Sequence, residues 1–269
     1  MITNINSSEK LNLISYLKEV WTDKYIIWVF AKRNIKGKIA QTKLGIFIIL
    51  FQAILLTLVF GFFISRFITF EVPYPYILFA VTGMMSWYIF SYVATFSGTS
   101  IMQNNQIASK IYFPRIILPL SYGLSVFVDF LGWLLVLVSL LIYYKIFISI
   151  NFFAIFIFLL LDIISGLALG FWIALLSLRN RDVALFSPLL IGIGMFFTPV
   201  FYPVKVLPVF LSNLLYYNPL AGVAEGFRWA IFNQKFDFHY IYGFSISIIV
   251  FILGFLYFVK KDGNMSDNL

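Results

Sequence analysis

Two carboxylic acids, Asp129 and Asp162, sit inside long apolar runs, the setting where an ionisable group has most need of a purpose. A charge at mid-bilayer is costly, so such acids face a helix bundle or water rather than lipid. Two readings are open: a proton relay in a secondary carrier, or neutral acids that hydrogen-bond between helices. No Lys, Arg or His shares their apolar runs, which weakens the relay. Glu225 and Arg228 are three residues apart, a spacing that puts them on one helix face as a pair. The other loop acids, Glu71, Asp182 and Asp237, are scattered, which disfavours a membrane enzyme built on an acid cluster or a nucleophile–base pair. The chain has no Cys and a single His, His239, so thiolate and multi-histidine metal centres are excluded. It also has no G-x-x-x-x-G-K-[ST] phosphate loop. No cofactor is therefore expected in this chain, and any ATP and Mg must be held by a partner.

The elements that carry these residues follow from composition. Of 269 residues, 62% are hydrophobic and only 11% charged, against roughly a quarter charged in a soluble domain. Lipid replaces the missing aqueous surface. A helix needs about 20 apolar residues to cross the hydrocarbon. By that measure the sequence predicts an all-α integral membrane protein with six transmembrane helices, over residues 44–65, 76–100, 116–144, 152–178, 183–204 and 241–259. Residues 1–43 lack the apolar core and small-residue cleavage site of a signal peptide, so the first run is expected to remain a span. With the N-terminus in the cytoplasm, 14 of the 19 Lys and Arg residues fall on the cytoplasmic side and 5 outside. That bias puts both termini, including the tail 260–269, in the cytoplasm. The net charge of +8 is read as topology and contact with anionic membrane lipid, not as a nucleic-acid site.

Three segments are not simple spans. Residues 10–30 place Leu13, Leu17, Val20, Trp21 and Trp28 at helical spacing among charges, as an amphipathic interface helix does. It serves either as a gate or docking helix or as a surface anchor. The loop 101–115 contains two helical turns that end before Pro114, with Ile107 and Ile111 on one side. This is either a contact for a cytoplasmic partner or an interfacial turn. Residues 207–217 and 219–232 are apolar but too short to cross, and they read as a re-entrant helical hairpin over 207–232 or as an amphipathic cap. Asn218 and Pro219 have the types of an N-cap and first helical residue. Phe47, Phe51, Phe60, Phe62 and Phe63 crowd the first span, and Phe186, Phe196, Phe197, Phe201 and Tyr202 the fifth. Such rings stack on sugars or simply face lipid. Gly166 and Gly170 form a small-xxx-small packing face.

Five patches, in order, resemble the permease subunit of type-2 ATP-binding-cassette exporters, in the branch that exports O-antigen, capsule or teichoic acid polysaccharide. They are KRNIKGKIAQTKLG (32–45), IASKIYFPRIILPLS (107–121), RNRDV (179–183), TPVFYP (198–203) and YNPLAGVAEGFRWAIF (217–232). Where family members often have Trp soon after the Leu-Gly pair and then Pro, this chain has Phe47 and Gln52. The resemblance implies a homodimer bound to two copies of an ATPase subunit, in a bacterial inner membrane, moving a lipid-linked glycan. It implies that Gln103, Ile107, Lys110, Ile111, Tyr112 and Arg115 belong to a coupling loop against the ATPase. Phe47, Phe51, Phe197, Phe201 and Tyr202 would border the substrate conduit, with Asn218, Pro219, Glu225 and Arg228 at the outer gate. Type-2 exporters of lipid or drug are the alternative within the family.

Overall fold

The computed structural model describes residues 13–40, 47–59, 61, 66, 71–147 and 149–262. Among them the chain is helical, with no strand. Four helices are long and apolar enough to cross a membrane: α4 (Tyr76–Gln103), α6 (Ile117–Tyr143), α7 (Ile155–Arg179, entered through a 3-10 turn at Ile150–Ala154) and α11 (Ile241–Asp262, entered through a 3-10 turn at Phe238–Tyr240). Among the described residues of the two other apolar runs, the helices are shorter.

Those two are α3 (Phe47–Leu58) and α8 (Arg181–Gly194). Residues 44–46, 60 and 62–65 of the first run, Phe60, Phe62 and Phe63 among them, lie outside the described residues. For the run 183–204 the structure departs from the uninterrupted helix that hydropathy suggests. Asn180 caps α8 by accepting from the Asp182 amide, Pro188 lies within the helix, and a 3-10 turn at Met195–Phe197 closes it. The cause of the ending is local. Pro199 disfavours αR at the residue before it, and Thr198 is extended (φ −117°, ψ 141°).

α4 is the hub, buried over most of its length. It packs against α7 and α6, with α10 (Pro219–Phe232) across both α4 and α7, and α11 on the far side of α7. Small residues let α4 and α7 approach closely. Gly166 lies against Val93, Gly170 against Ser97, and Gly98 against Ile173, so the two helices run parallel. The Gly166–Gly170 face of the sequence reading is this seam. A Cβ on Gly98 would sit 2.5 Å from the Ile173 side chain. Packing of this kind, and not water exclusion, holds helices together in lipid.

The N-terminal segment is two helices, α1 (Leu13–Thr22) and α2 (Lys24–Ala40), broken at Asp23. The expected interface helix over 10–30 therefore extends ten residues further, through the basic run, and α2 packs along α6. Phe30, Ala31, Asn34 and Lys38 face inward at helical spacing, while Lys32, Arg33 and Lys36 stay outside. Of the segment 207–232, α9 (Val209–Leu215) is mostly exposed, whereas α10 is mostly buried. At about 1.5 Å per residue, neither helix is long enough to cross the hydrocarbon.

Candidate functional site

A cavity of about 540 Å3 with polar and aromatic lining is walled by α2, α3, α4, α6 and α8. Trp87, Tyr88, Tyr92 and Phe96 supply aromatic faces, and Gln52, Ser91, Thr95, Lys38 and Asp129 supply polar groups. α4 presents its set because residues 88, 91, 92, 95 and 96 share one helix face. Asp129 is 1% exposed and not alone: Lys38 Nζ lies 2.5 Å from its Oδ2, and the Tyr88 hydroxyl donates to Oδ1 at 3.2 Å. The ammonium also sits 3.5 Å from the centre of the Tyr92 ring. A buried carboxylate is thereby neutralised at the end of a helix that hydropathy leaves outside the spans. The sequence reading found no cation in the apolar runs and missed this one, because Lys38 reaches Asp129 from 91 residues away. The one signal for it was local: Asn34 and Lys38 share the α2 face that meets α6, where Asn34 bonds Ser121.

Asp162 is in another environment. It is fully buried on α7, neither carboxylate oxygen meets a donor among the described residues, and it does not line the cavity. The two acids are not brought together.

On the opposite end, α10 pins an unwound stretch of chain. The Arg228 guanidinium is fully buried, lies over the Phe79 ring at 3.5 Å and donates to the carbonyls of Pro199 (2.8 Å) and Val200 (3.1 Å). Its Nη1 donates to Glu225 at 2.7 Å, the pair expected from the i,i+3 spacing. Asn218 caps α10 through the Leu220 amide (3.0 Å), with Pro219 as first helical residue, and its amide nitrogen donates to Thr198 Oγ1 (3.1 Å) and the Phe197 carbonyl (3.3 Å). Carbonyls freed where α8 stops cannot be left bare in an apolar setting. Arg228 and Asn218 supply the donors. The TPVFYP and YNP…E…R patches are thus one structural unit. A second tie holds α9: the Tyr216 hydroxyl donates to Asp237 at 2.7 Å. Partial desolvation raises the Asp237 carboxyl, but hydrogen bonds from the His239 amide, Tyr216 and the His239 ring outweigh it and hold the group below its ordinary value.

The loop between α4 and α6 turns at Asn104, where α5 (Asn105–Ala108) begins. Lys110, Ile111 and Tyr112 are exposed. Ile107 packs on the core, Gln103 accepts from the Tyr122 hydroxyl, and Arg115 bonds Asp262. Phe30 packs on Phe113 with ring centres 5.6 Å apart, and Arg33 bonds the Asn104 side chain. The loop is thereby gripped by α2, the same helix that ends at the cavity.

The sequence profile of the ABC-2 type transporter family matches residues 25–232, a stretch that spans both the cavity and the pinned hairpin. The chain belongs to that family. It is similar to two O-antigen export system permease proteins RfbA from Klebsiella pneumoniae. One is 26% identical over 232 residues, covering 86% of this chain and 87% of the relative; the other is 26% identical over 237 residues, covering 87% and 91%. This ABC-2 chain is therefore the multi-pass membrane component of an ATP-binding-cassette transporter, with ATP hydrolysis in a separate subunit.

Of the residues expected at the conduit, Phe47 and Phe51 lie on the outward face of α3, at 65% and 51% exposure, while Ile48, Ile49 and Gln52 face the cavity. Phe197 is likewise exposed; the Phe201 carbonyl accepts from Tyr76, and the Tyr202 hydroxyl donates to the Phe196 carbonyl. Of these five residues, none lines the cavity. Their exposed neighbours Ile54, Leu55, Leu58, Leu185, Phe186, Leu189 and Leu190 extend bare apolar faces along α3 and α8.

Proposed function

We propose that this ABC-2 permease forms, as a homodimer with two copies of an ATPase subunit, the channel through which a lipid-linked polysaccharide of the O-antigen, capsule or teichoic acid kind leaves the cytoplasm across a bacterial inner membrane. The observation that carries the reading is the cavity: aromatic faces and hydrogen-bonding groups set between α3 and α8, the two short helices with bare outer surfaces. Aromatic rings hold sugars by stacking on their C–H faces, and the neighbouring hydroxyls and amide exchange hydrogen bonds with sugar hydroxyls. Polar walls of this kind are not left facing lipid, so a second copy packing through α3 and α8 is the natural closure. The printed names of the two relatives support the glycan class.

In this reading the six apolar runs are six spans, the α9–α10 hairpin dips into the outer leaflet, and both termini are cytoplasmic. Asn218, Pro219, Glu225 and Arg228 brace the outer gate, and Lys110, Ile111 and Tyr112 meet the ATPase, which binds ATP and Mg. Asp129 and Asp162 serve structure rather than proton coupling, since one is ion-paired and the other sealed away from the cavity. The test is reconstitution of the permease with its ATPase in vesicles loaded with lipid-linked glycan. Export is expected to require ATP and the ATPase; cargo moved by the permease alone, or driven by a pH gradient, sinks the proposal.

A further inference from the structure

Asp262 is a carboxylate kept from water: it closes the described part of α11, after Lys260 and Lys261, and its side chain is only 9% exposed. What compensates comes from two distant segments. Oδ2 accepts the Tyr16 hydroxyl of α1 at 2.5 Å and the Arg115 backbone amide at 3.0 Å. The Arg115 guanidinium stands 4.0 Å from Oδ1, where it offsets the acid's charge, and donates to the Asp262 carbonyl at 3.2 Å. The partners are 246 and 147 residues away in sequence.

The structure assigns Asp262 a role as a positioning residue: one carboxylate clasps α1, the end of the 103–115 loop and the end of α11, fixing the angle at which that loop is presented. Beside the clasp, the loop is tied to α2 through Phe113 on Phe30 and Asn104 on Arg33, to α6 through Gln103 on Tyr122, and to α1 through Tyr112 beside Glu19. Because Arg115 is engaged inward, it is part of this brace and not of the loop's outer surface. The functional half of the inference rests on the proposal that the loop meets an ATPase; the structural half does not.

Two measurements separate the halves. In the permease alone, in nanodiscs, Asp262→Ala is expected to raise amide hydrogen exchange across residues 109–117 and 13–22 about tenfold or more, as loss of a local tie does. Asp262→Asn retains an oxygen for the Tyr16 hydroxyl and the Arg115 amide and is expected to keep most of the protection. Unchanged exchange in Asp262→Ala overturns the clasp, whatever the ATPase does. In the permease–ATPase complex, Asp262→Ala is expected to co-purify with the ATPase normally yet lower its stimulated hydrolysis by about threefold to thirtyfold. Tyr16→Phe, which removes one hydroxyl at constant shape, is expected to give the same defect in smaller degree, so the inference stands or falls even if Asp262→Ala accumulates poorly. Full stimulation in both variants alongside raised exchange overturns the positioning role and leaves only a structural tie.

Discussion

The residues that matter most in this permease are charges placed where charge is expensive. Lys38 and Asp129 neutralise one another at the cavity wall, with the acid buried and the ammonium about a quarter exposed. Removing one member strands the other. Lys38→Ala is therefore expected to destabilise by about 2–3 kcal/mol, toward the low end of what breaking a buried pair costs because of that partial exposure. Asp129→Asn, which leaves a neutral acceptor, should lose less, and Lys38→Leu with Asp129→Leu should recover most of the loss. Thermal unfolding in detergent checks the series; a double variant no better than Lys38→Ala would refute the ion-pair account. Arg228 poses a geometric demand instead. Its planar fork serves Glu225 and two carbonyls at once, which a Lys ammonium on a flexible stem cannot do. Arg228→Lys is expected to cost about 2–3 kcal/mol through the orphaned carbonyls and to expose residues 197–200 to proteolysis. Retention of wild-type protease resistance would show that the carbonyls find other donors.

At the scale of elements, a glycine is hardest to replace where pinned backbone lies opposite it. A Cβ on Gly83 of α4 would fall 2.5 Å from the Val200 carbonyl oxygen and 2.9 Å from Arg228 Nη2. Backbone that is itself pinned has nowhere to move, so Gly83→Ala should cost about 1–3 kcal/mol. Gly37 in α2 has open space around its Cβ position, and Gly37→Ala should stabilise by about 0.5–1 kcal/mol through helix propensity alone. Melting temperatures of the two variants, shifted in opposite directions, test this contrast. The loop between α4 and α6 offers a cleaner functional test than its full set of six expected residues. Gln103 is bonded to Tyr122, Ile107 packs on the core and Arg115 bonds Asp262, whereas Lys110 and Ile111 face outward. Lys110→Glu with Ile111→Asp is expected to abolish co-purification of the ATPase while membrane insertion and melting stay unchanged. Normal co-purification would move the docking surface elsewhere.

The described residues form a bundle built around α4, with two short helices on its flank whose outer faces are exposed. If those faces close against a second copy, cysteines placed on them must meet. The chain has no native Cys, so Phe51→Cys combined with Leu189→Cys should give a disulfide-linked dimer in membranes under mild oxidation. Leu253→Cys, on the exposed side of α11, should not. The reverse pattern would place the protomer contact on α11 and leave the cavity without the proposed closure.

Hydropathy, cation bias and turn residues are properties of short stretches, so the sequence by itself determined the all-helical membrane class, the four long helices, the capped α10 and the Glu225–Arg228 pair. It even marked Asp129 and Asp162 as residues in need of partners. The partners themselves were decided only by tertiary structure, because Lys38 for Asp129, the 199–200 carbonyls for Arg228, and Tyr16 with Arg115 for Asp262 are brought close by packing across 28 to 246 residues of chain. No periodicity encodes such separations. The end of α8 stood between the two cases: Pro199 announced it locally, but only Arg228 and Asn218, arriving from α10, make an unwound backbone tolerable in that place.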